Sequence, residues 1–156
     1  MTRIPLIGPS NRPGKYKLAV TARAMDMQEI RDFRGWQRAA ALRAKRAGFD
    51  IVYVYAGHDY LPFQFLSSRS NDRRDAYGGS LENRVRLLKE MVEDTKDAVG
   101  ASCAVALRLA VDELHGPHGI TSEGEGREAV ALVAELPDLR GVKVVGSVVN
   151  DSSAAW

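Results

Sequence analysis

Residues 51–66 read IVYVYAGHDYLPFQFL, and the pattern changes abruptly inside this stretch. Residues 49–55 are rich in β-branched and aromatic side chains, which favours an extended strand. The strand pattern stops at Gly57, and ionisable side chains follow at once at positions 58–60. Because ligands of parallel sheets bind at the carboxyl ends of the strands, this stretch bears on both the fold and the site.

The rest of the chain repeats an alternation of helix and strand. Apolar residues three or four positions apart predict helices, and extended apolar runs predict strands. The predicted order is helix 28–47, strand 49–55, helix 81–98, strand 103–111, a helix from Glu125 or Arg127 to Leu136, and strand 141–145. Strands that alternate with helices indicate the α/β class with a parallel sheet and right-handed crossovers. Long loops follow the strands and short loops precede them, as at the functional face of a barrel.

The segments outside this alternation are predicted to be irregular. Residues 1–27 form a loop-rich segment, in which GPSNRPGKY holds two prolines and two glycines, although residues 18–22 suit a short extended piece. Residues 28–156 carry the helix and strand repeats, so we expect a single domain over 1–156. Residues 56–79 are predicted to be a long connection without regular structure, and such connections are often functional.

Composition indicates a globular protein and excludes several classes. Apolar residues make up 45% of the chain, and its 22 basic and 20 acidic side chains are interspersed, with a net charge of +2. A nucleic-acid partner is not expected, because it would require basic residues gathered on one face. The single cysteine, Cys103, excludes an internal disulfide and fits a reducing compartment. No apolar run approaches the ~20 residues of a membrane span, so we expect a cytoplasmic protein without a membrane partner.

Tyr55 and His58 form the first candidate pair. Tyr55 shares a strand face with Ile51 and Tyr53, and His58 follows it by three positions. A phenol and an imidazole this close can share a hydrogen bond and handle a proton, because histidine changes its charge near neutral pH. The alternative is that Tyr55 caps the core and His58 binds water, and the spacing alone favours this alternative.

Arg108 is the second candidate, because it lies in the middle of an apolar strand. It shares one face with Ala104, Ala106 and Ala110. A buried guanidinium needs a polar or anionic partner, and the small alanines leave room for a bound group. The alternative is a structural ion pair to a carboxylate just beyond the strand, at position 112 or 113. Composition does not decide between the two.

Two further polar clusters are interpreted as structural. The loop NDRRDAYGGSLENR carries Arg73, Asp75, Tyr77 and Arg84, which are placed to lock the loop to the next helix. Its Gly-Gly pair lacks the spacing of a phosphate-binding loop. A loop further along the chain carries two histidines, at positions 115 and 118. No cysteine or acidic cluster joins them at ligand spacing, so no metal site is expected.

Two stretches together carry a family resemblance. AGFDIVYVYAGHDYLPFQFLS, at 47–67, and NDRRDAYGGSLENRVRLLKE, at 71–90, resemble the old yellow enzyme family of FMN-dependent (β/α)8 TIM barrels. With CAVALRLAVDELHGPHGIT, at 103–121, the chain looks most similar to the branch that acts on trimethylamine, dimethylamine and histamine. The resemblance extends from about Ile4 to Ser152. It implies that the chain is part of such a barrel, with about three consecutive βα units.

The resemblance also assigns roles to individual residues. In that branch a tyrosine, a histidine and an aspartate lie beside the flavin, which implies Tyr55, His58 and Asp151 as catalytic residues. An arginine on the strand after the YGGSLENR helix contacts the polar edge of the flavin, and Arg108 occupies that position. A fixed cation there would favour the reduced flavin.

The implied reaction is the oxidation of a secondary or tertiary amine, or of histamine, with electrons passed to FMN. Tyr55 and His58 would orient the amine and help to set its protonation. The alternative within the family is an ene-reductase or 2,4-dienoyl-CoA reductase, in which His58 would donate a hydrogen bond to a carbonyl oxygen.

A second alternative concerns the chain rather than the family. A whole barrel needs eight strands and roughly 250 residues, so the chain is expected to be a truncated piece that is inactive alone. The 4Fe–4S cluster and the flavin-linking cysteine of the amine branch would belong to a full-length parent, since Cys103 matches neither. A non-catalytic remnant could associate with itself through open sheet edges.

Overall fold

The computed structural model describes residues 6–13 and 20–136, and for strand 142–148 the backbone alone. The elements are β1 (Ile7–Gly8), β2 (Arg12–Pro13), β3 (Thr21–Ala24), α1 (Met27–Arg46), β4 (Ile51–Ala56), α2 (Leu61–Leu66), α3 (Leu81–Val99), β5 (Ala104–Asp112), α4 (Glu125–Ala134) and β6 (Val142–Val148). The predicted alternation of three helices and three strands is confirmed, with boundaries that differ by at most three residues.

The main sheet has the order β4-β5-β6, and both strand pairs are parallel. Pairing begins with Ile51 beside Ala104 and continues in register to Ala56 beside Leu109. The predicted α/β class with parallel strands is therefore confirmed. A bulge between Ala110 and Asp112 shifts the register where β5 meets β6, just beyond the position of Arg108.

One face of β4 and β5 is covered by helices, and the other face is not. Val54, Leu107 and Leu109 point to the covered face and have no exposed surface. On the opposite face Ile51 is 49% exposed and Tyr53 is 52% exposed. The alternation predicted for β4 is confirmed by the burial pattern. In β5 it holds around Arg108, between buried Leu107 and Leu109, whereas Ala106 and Ala110 on the Arg108 face are also buried.

Two segments predicted to be irregular contain regular structure. The predicted connection 56–79 holds helix α2, which begins beside Pro62. Proline is tolerated in the first helical turn, where its missing N–H would have had no partner. The loop-rich prediction for 1–27 also needs correction, because β1, β2 and β3 form a small sheet there. Within the described part of that segment, β1 pairs parallel and β2 antiparallel to β3.

Capping residues define the starts of the two long helices. Asp26 and Glu29 form a reciprocal capping box at the start of α1, in which each side chain accepts a bond from the other residue's backbone N–H. Arg23 pairs with Glu29, and this hydrogen-bonded pair lowers the pKa of Glu29 to about 2. Ser80 caps α3, and its side-chain hydroxyl accepts a hydrogen bond from the Asn83 N–H.

The loop before α3 is locked by hydrogen bonds, as the sequence predicted. Arg73 pairs with Asp75 at 2.6 Å and donates to the backbone carbonyls of Pro9 and Met25. Tyr77 donates from its hydroxyl to Glu90, and buried Arg84 pairs with Glu125 of α4. All four residues that were predicted to lock this loop form side-chain hydrogen bonds: Arg73, Asp75, Tyr77 and Arg84.

Gly78 fits this loop because a side chain there would collide with the backbone. A Cβ at Gly78 would lie 2.2 Å from the Arg73 carbonyl oxygen.

Every described helix is too short or too polar to cross a lipid bilayer.

Candidate active site

The strand register places Tyr55 directly beside Arg108 on the uncovered face of the sheet. The guanidinium carbon of Arg108 lies 5.2 Å from the centre of the Tyr55 ring, within the range of a cation–π contact. Tyr55 is half-buried and Arg108 is exposed. Parallel strand pairing therefore brings two of the predicted site residues, Tyr55 and Arg108, together without a contribution from any loop.

His58 joins this pair through a tight turn after β4. His58 and Asp59 both adopt left-handed backbone conformations, with φ of 48° and 57°. Histidine and aspartate tolerate this region better than most residues, although it is strained for both. The Tyr60 N–H donates to the Gly57 carbonyl at 3.0 Å and closes the turn. As a result the imidazole folds back, and its Nδ1 hydrogen-bonds the Tyr55 hydroxyl.

A third aromatic ring completes the cluster. The Tyr60 ring centre lies 5.5 Å from that of Tyr55 and 6.1 Å from that of His58. Tyr60 is 59% exposed, so its ring borders the open side of the cluster. The sequence analysis did not assign Tyr60 to the site. Its place two residues after His58 was the available signal, but a lone exposed tyrosine carries little information without the turn geometry.

The prediction that Arg108 is buried is wrong. Arg108 is exposed, because the face of β5 that carries it is not covered by a helix. Neither carboxylate proposed as its partner reaches it. Asp112 accepts the backbone N–H groups of Leu114 and Ser122, while Glu113 bonds to Ser67. Within the described ranges Arg108 contacts the Tyr55 ring, and no carboxylate pairs with it.

The two backbone bonds to Asp112 have an electrostatic consequence. Because both N–H groups stabilise the charged carboxylate, they lower the pKa of Asp112 below its ordinary value. The charged form of Asp112 thus holds the loop that follows β5.

Glu113 is a second residue that the sequence analysis did not assign to the site. It is only 6% exposed, and the Ser67 hydroxyl donates to its carboxylate at 2.9 Å. A single carboxylate after a strand gives no spacing signal, and its partner lies 46 positions away in the sequence. Pairing of this kind is set by the tertiary fold.

The remaining predicted site residues are placed as follows. Asp151 lies outside the described residues. His115 precedes a short 3₁₀ turn, Gly116–His118, in the loop after β5, and His118 is the last residue of that turn. In the part of the chain that the structure describes, no three histidine, cysteine or acidic side chains are grouped to hold a metal ion.

Comparison with known proteins identifies the family. The model of the NADH:flavin oxidoreductase / NADH oxidase family matches residues 8–152. The chain belongs to this family. The predicted resemblance to the old yellow enzyme family is confirmed, and so is the prediction that the chain is part of a (β/α)8 barrel. Members of the family are flavin-dependent oxidoreductases that bind FMN and act on small molecules.

Three relatives illustrate the range of this family. A solved structure of 6-hydroxypseudooxynicotine amine oxidase from Pseudomonas geniculata N1 is 46% identical, with a TM-score of 0.84, over 94% of this chain and 22% of that protein. Histamine dehydrogenase from Rhizobium sp. 4-9 is 40% identical, with a TM-score of 0.80, over 92% of this chain and 21% of that one. NADPH dehydrogenase from Clostridium acetobutylicum is 38% identical over 81% of this chain and 36% of its own length. The chain therefore spans between about a fifth and about a third of the length of these three relatives.

Proposed function

We propose that the chain is the FMN-facing segment of an amine dehydrogenase that oxidises secondary or tertiary amines or histamine. The observation that carries the proposal is the convergence on the uncovered face of Tyr55, His58 and Arg108, which has no carboxylate partner among the described residues. The similarity to an amine oxidase and to histamine dehydrogenase supports an amine as the substrate. The single cysteine fits a reducing compartment, so we place the activity in the cytoplasm.

The residues present fit FMN. Arg108 offers an exposed guanidinium with no carboxylate partner among the described residues, next to the small side chains of Ala106 and Ala110. A planar cation of this kind suits a polar ring edge that gains negative charge. Bound FMN would accept the two electrons that leave the substrate. We assign Arg108 to the polar edge of the flavin.

The Tyr55–His58 pair is assigned to the substrate. An amine must be neutral to give up electrons easily, and amines arrive protonated near neutral pH. Tyr55 Oη can take the proton of the ammonium group while the hydroxyl proton passes to His58 Nδ1, so the charge moves from the substrate to the imidazole. Asp151 remains the proposed third member, on the strength of the family resemblance alone.

A reductase is the second candidate. The similarity to NADPH dehydrogenase favours it, and the exposed His58 is placed to donate a hydrogen bond to a carbonyl oxygen. An ene-reductase or 2,4-dienoyl-CoA reductase would use the same face with the opposite direction of electron flow. Substrate turnover separates the two functions.

The test is anaerobic reduction of the flavin in a full-length protein that contains this segment. Trimethylamine, dimethylamine and histamine are offered separately, and the loss of the yellow flavin absorbance is followed. We expect at least one amine to bleach the flavin without NADPH. Bleaching by NADPH followed by reoxidation with an α,β-unsaturated carbonyl compound would favour the reductase. Bleaching by none of the amines would contradict the proposed function.

The 156-residue chain alone is expected to bind FMN weakly or not at all, because the parallel sheet of its described residues has three strands and a whole barrel has eight. Titration of FMN fluorescence with the purified chain measures this directly. A stoichiometric yellow complex would contradict the expectation.

Self-association of the chain is the related proposal. Ile51 and Tyr53 are exposed, and β4 is the edge strand of the described sheet. Sedimentation of the purified chain should therefore show assemblies of several copies, and Tyr53→Lys should lower the fraction of chain in them. A monomer at all concentrations would exclude them.

A further inference from the structure

Glu113 is a buried carboxylate with a complete set of partners. The Ser67 hydroxyl lies 2.9 Å from Glu113 Oε1, and the Ile120 N–H donates to Oε2 at 2.8 Å. Arg69 approaches Oε1 at 3.6 Å from the more exposed side. A buried carboxylate is expensive unless its oxygens accept hydrogen bonds, and here both do.

On one side, this carboxylate holds the segment that carries His58. Ser67 is the residue at which α2 ends, and its own N–H donates to the Phe63 carbonyl. From within α2, the Gln64 side chain reaches back and donates to the Asp59 carbonyl at 2.7 Å. The His58 turn and α2 are thereby joined into one hydrogen-bonded unit that ends on Ser67.

On the other side, the carboxylate holds the loop after β5. Glu113 directly follows β5, five positions beyond Arg108. Its N–H donates to the Ile120 carbonyl at 2.9 Å, while its side chain accepts the Ile120 N–H. The loop between residues 113 and 120 is therefore closed on Glu113 itself.

We propose that Glu113 is a positioning residue that ties the unit carrying His58 to the strand carrying Arg108. The Ser67–Glu113 hydrogen bond sets how far the His58 turn lies from β5, and so keeps the imidazole within reach of the Tyr55 hydroxyl. Buried ionic groups rarely give the most stable packing, but their directional bonds select one geometry. Glu113 touches none of the proposed reacting groups, so its effect on them passes through the turn.

Two single variants test the tie. Ser67→Ala removes the hydroxyl and leaves the bonds from Glu113 to Ile120 in place. Glu113→Gln keeps the size of the side chain but replaces one acceptor oxygen by a donor. The matched control is Tyr77→Phe, which also deletes a hydroxyl that donates to a glutamate, Glu90, at 2.8 Å, away from the site.

The first measurement is hydrogen exchange of the Tyr60 amide, which closes the His58 turn. We expect Ser67→Ala and Glu113→Gln to speed its exchange about tenfold, as expected for the loss of one hydrogen bond to a charged group. Tyr77→Phe should change it less than about twofold. If the tie is direct, the double variant should exchange no faster than the faster single variant.

The second measurement is the ¹⁵N shift of His58 Nδ1. In Ser67→Ala and Glu113→Gln this shift should move toward that of a free imidazole, because the hydrogen bond to Tyr55 weakens. The control variant Tyr77→Phe should leave the shift unchanged. Unchanged exchange and an unchanged shift in Ser67→Ala and Glu113→Gln would overturn the proposal.

The assignment of a catalytic consequence rests on the proposed function, but these readouts need neither flavin nor amine. A failure of the tie is therefore distinguishable from a failure of amine oxidation.

Discussion

The two faces of β4 and β5 differ in what they contribute to the molecule. On the helix-covered face Val54 and Leu107 have no exposed surface, and their burial stabilises the fold. On the uncovered face Tyr55 and Arg108 lie side by side with His58, half-buried or exposed, and an exposed cation–π contact contributes only about 0.5–1 kcal/mol.

This difference between the two faces indicates which of them binds a ligand. A face that contributes little to stability, yet carries a guanidinium, a phenol and an imidazole in contact, is better explained by a ligand than by folding. Substitutions on the covered face should therefore lower the free energy of unfolding, and those on the uncovered face should alter chemistry.

The largest expected effect is on the covered face. Leu107→Ala should lower the free energy of unfolding by about 3.5 kcal/mol, because it leaves a cavity in a fully buried position. Tyr53→Ala, at a position that is 52% exposed on the other face, should lower it by less than about 1 kcal/mol. Urea denaturation measures both. Equal losses would remove the distinction between the two faces.

The next effect is on the uncovered face. In a full-length protein, His58→Gln should lower the rate of flavin reduction by amine about a hundredfold, or about 2.7 kcal/mol, and change its pH dependence. The matched control is His118→Gln, an exposed histidine in the loop after β5, which should leave both unchanged. If the two variants behave alike, His58 has a structural role only.

A smaller effect is expected at the flavin. Arg108→Ala should lower the reduction potential of bound FMN by roughly 30–60 mV, because the cation that favours the reduced form is lost. The free energy of unfolding should fall by less than about 1 kcal/mol. Arg74→Ala, an exposed arginine on another loop, serves as the control in a dye-equilibration titration. An unchanged potential in Arg108→Ala would remove the proposed contact with the flavin.

The smallest effect concerns the loop that borders the uncovered face after β5. The pKa of Asp112 is lowered in the folded chain by the Leu114 and Ser122 N–H groups, so its contribution to stability is present above the ordinary value of 3.8. That contribution is lost as the pH falls from about 4 through the lower folded pKa.

Because solvent screens the charge of Asp112, the loss in the free energy of unfolding should be below about 1 kcal/mol. Unfolding measured from pH 5 to pH 3 should show a shallower decline in Asp112→Asn than in the unmodified chain. An identical decline in both would contradict the assignment.

Much of the fold was predictable because local patterns and tertiary packing agree. The alternation in IVYVY and in AVALRLA predicted which side chains share a face, and the strand register then put Tyr55 beside Arg108. Helix α2 was not predicted, since Pro62 was interpreted as part of a loop although it lies in a first turn.

The site was predictable only where its residues are close in sequence or on paired strands. The Tyr55–His58 hydrogen bond spans three positions and was foreseen as one of two alternatives. The exposure of Arg108 and the pairing of Ser67 with Glu113 depend on which surfaces the fold leaves uncovered or brings together. No local pattern in a single sequence carries that information.

The most direct test of the shared site is nuclear Overhauser spectroscopy on the chain in solution. The account predicts cross-peaks from the Tyr55 ring to the Arg108 side chain and to the His58 ring. It also predicts an upfield shift of the Arg108 side-chain protons that is lost in Tyr55→Leu. A well-folded chain without either cross-peak would show that the three groups face different directions, and would contradict the account.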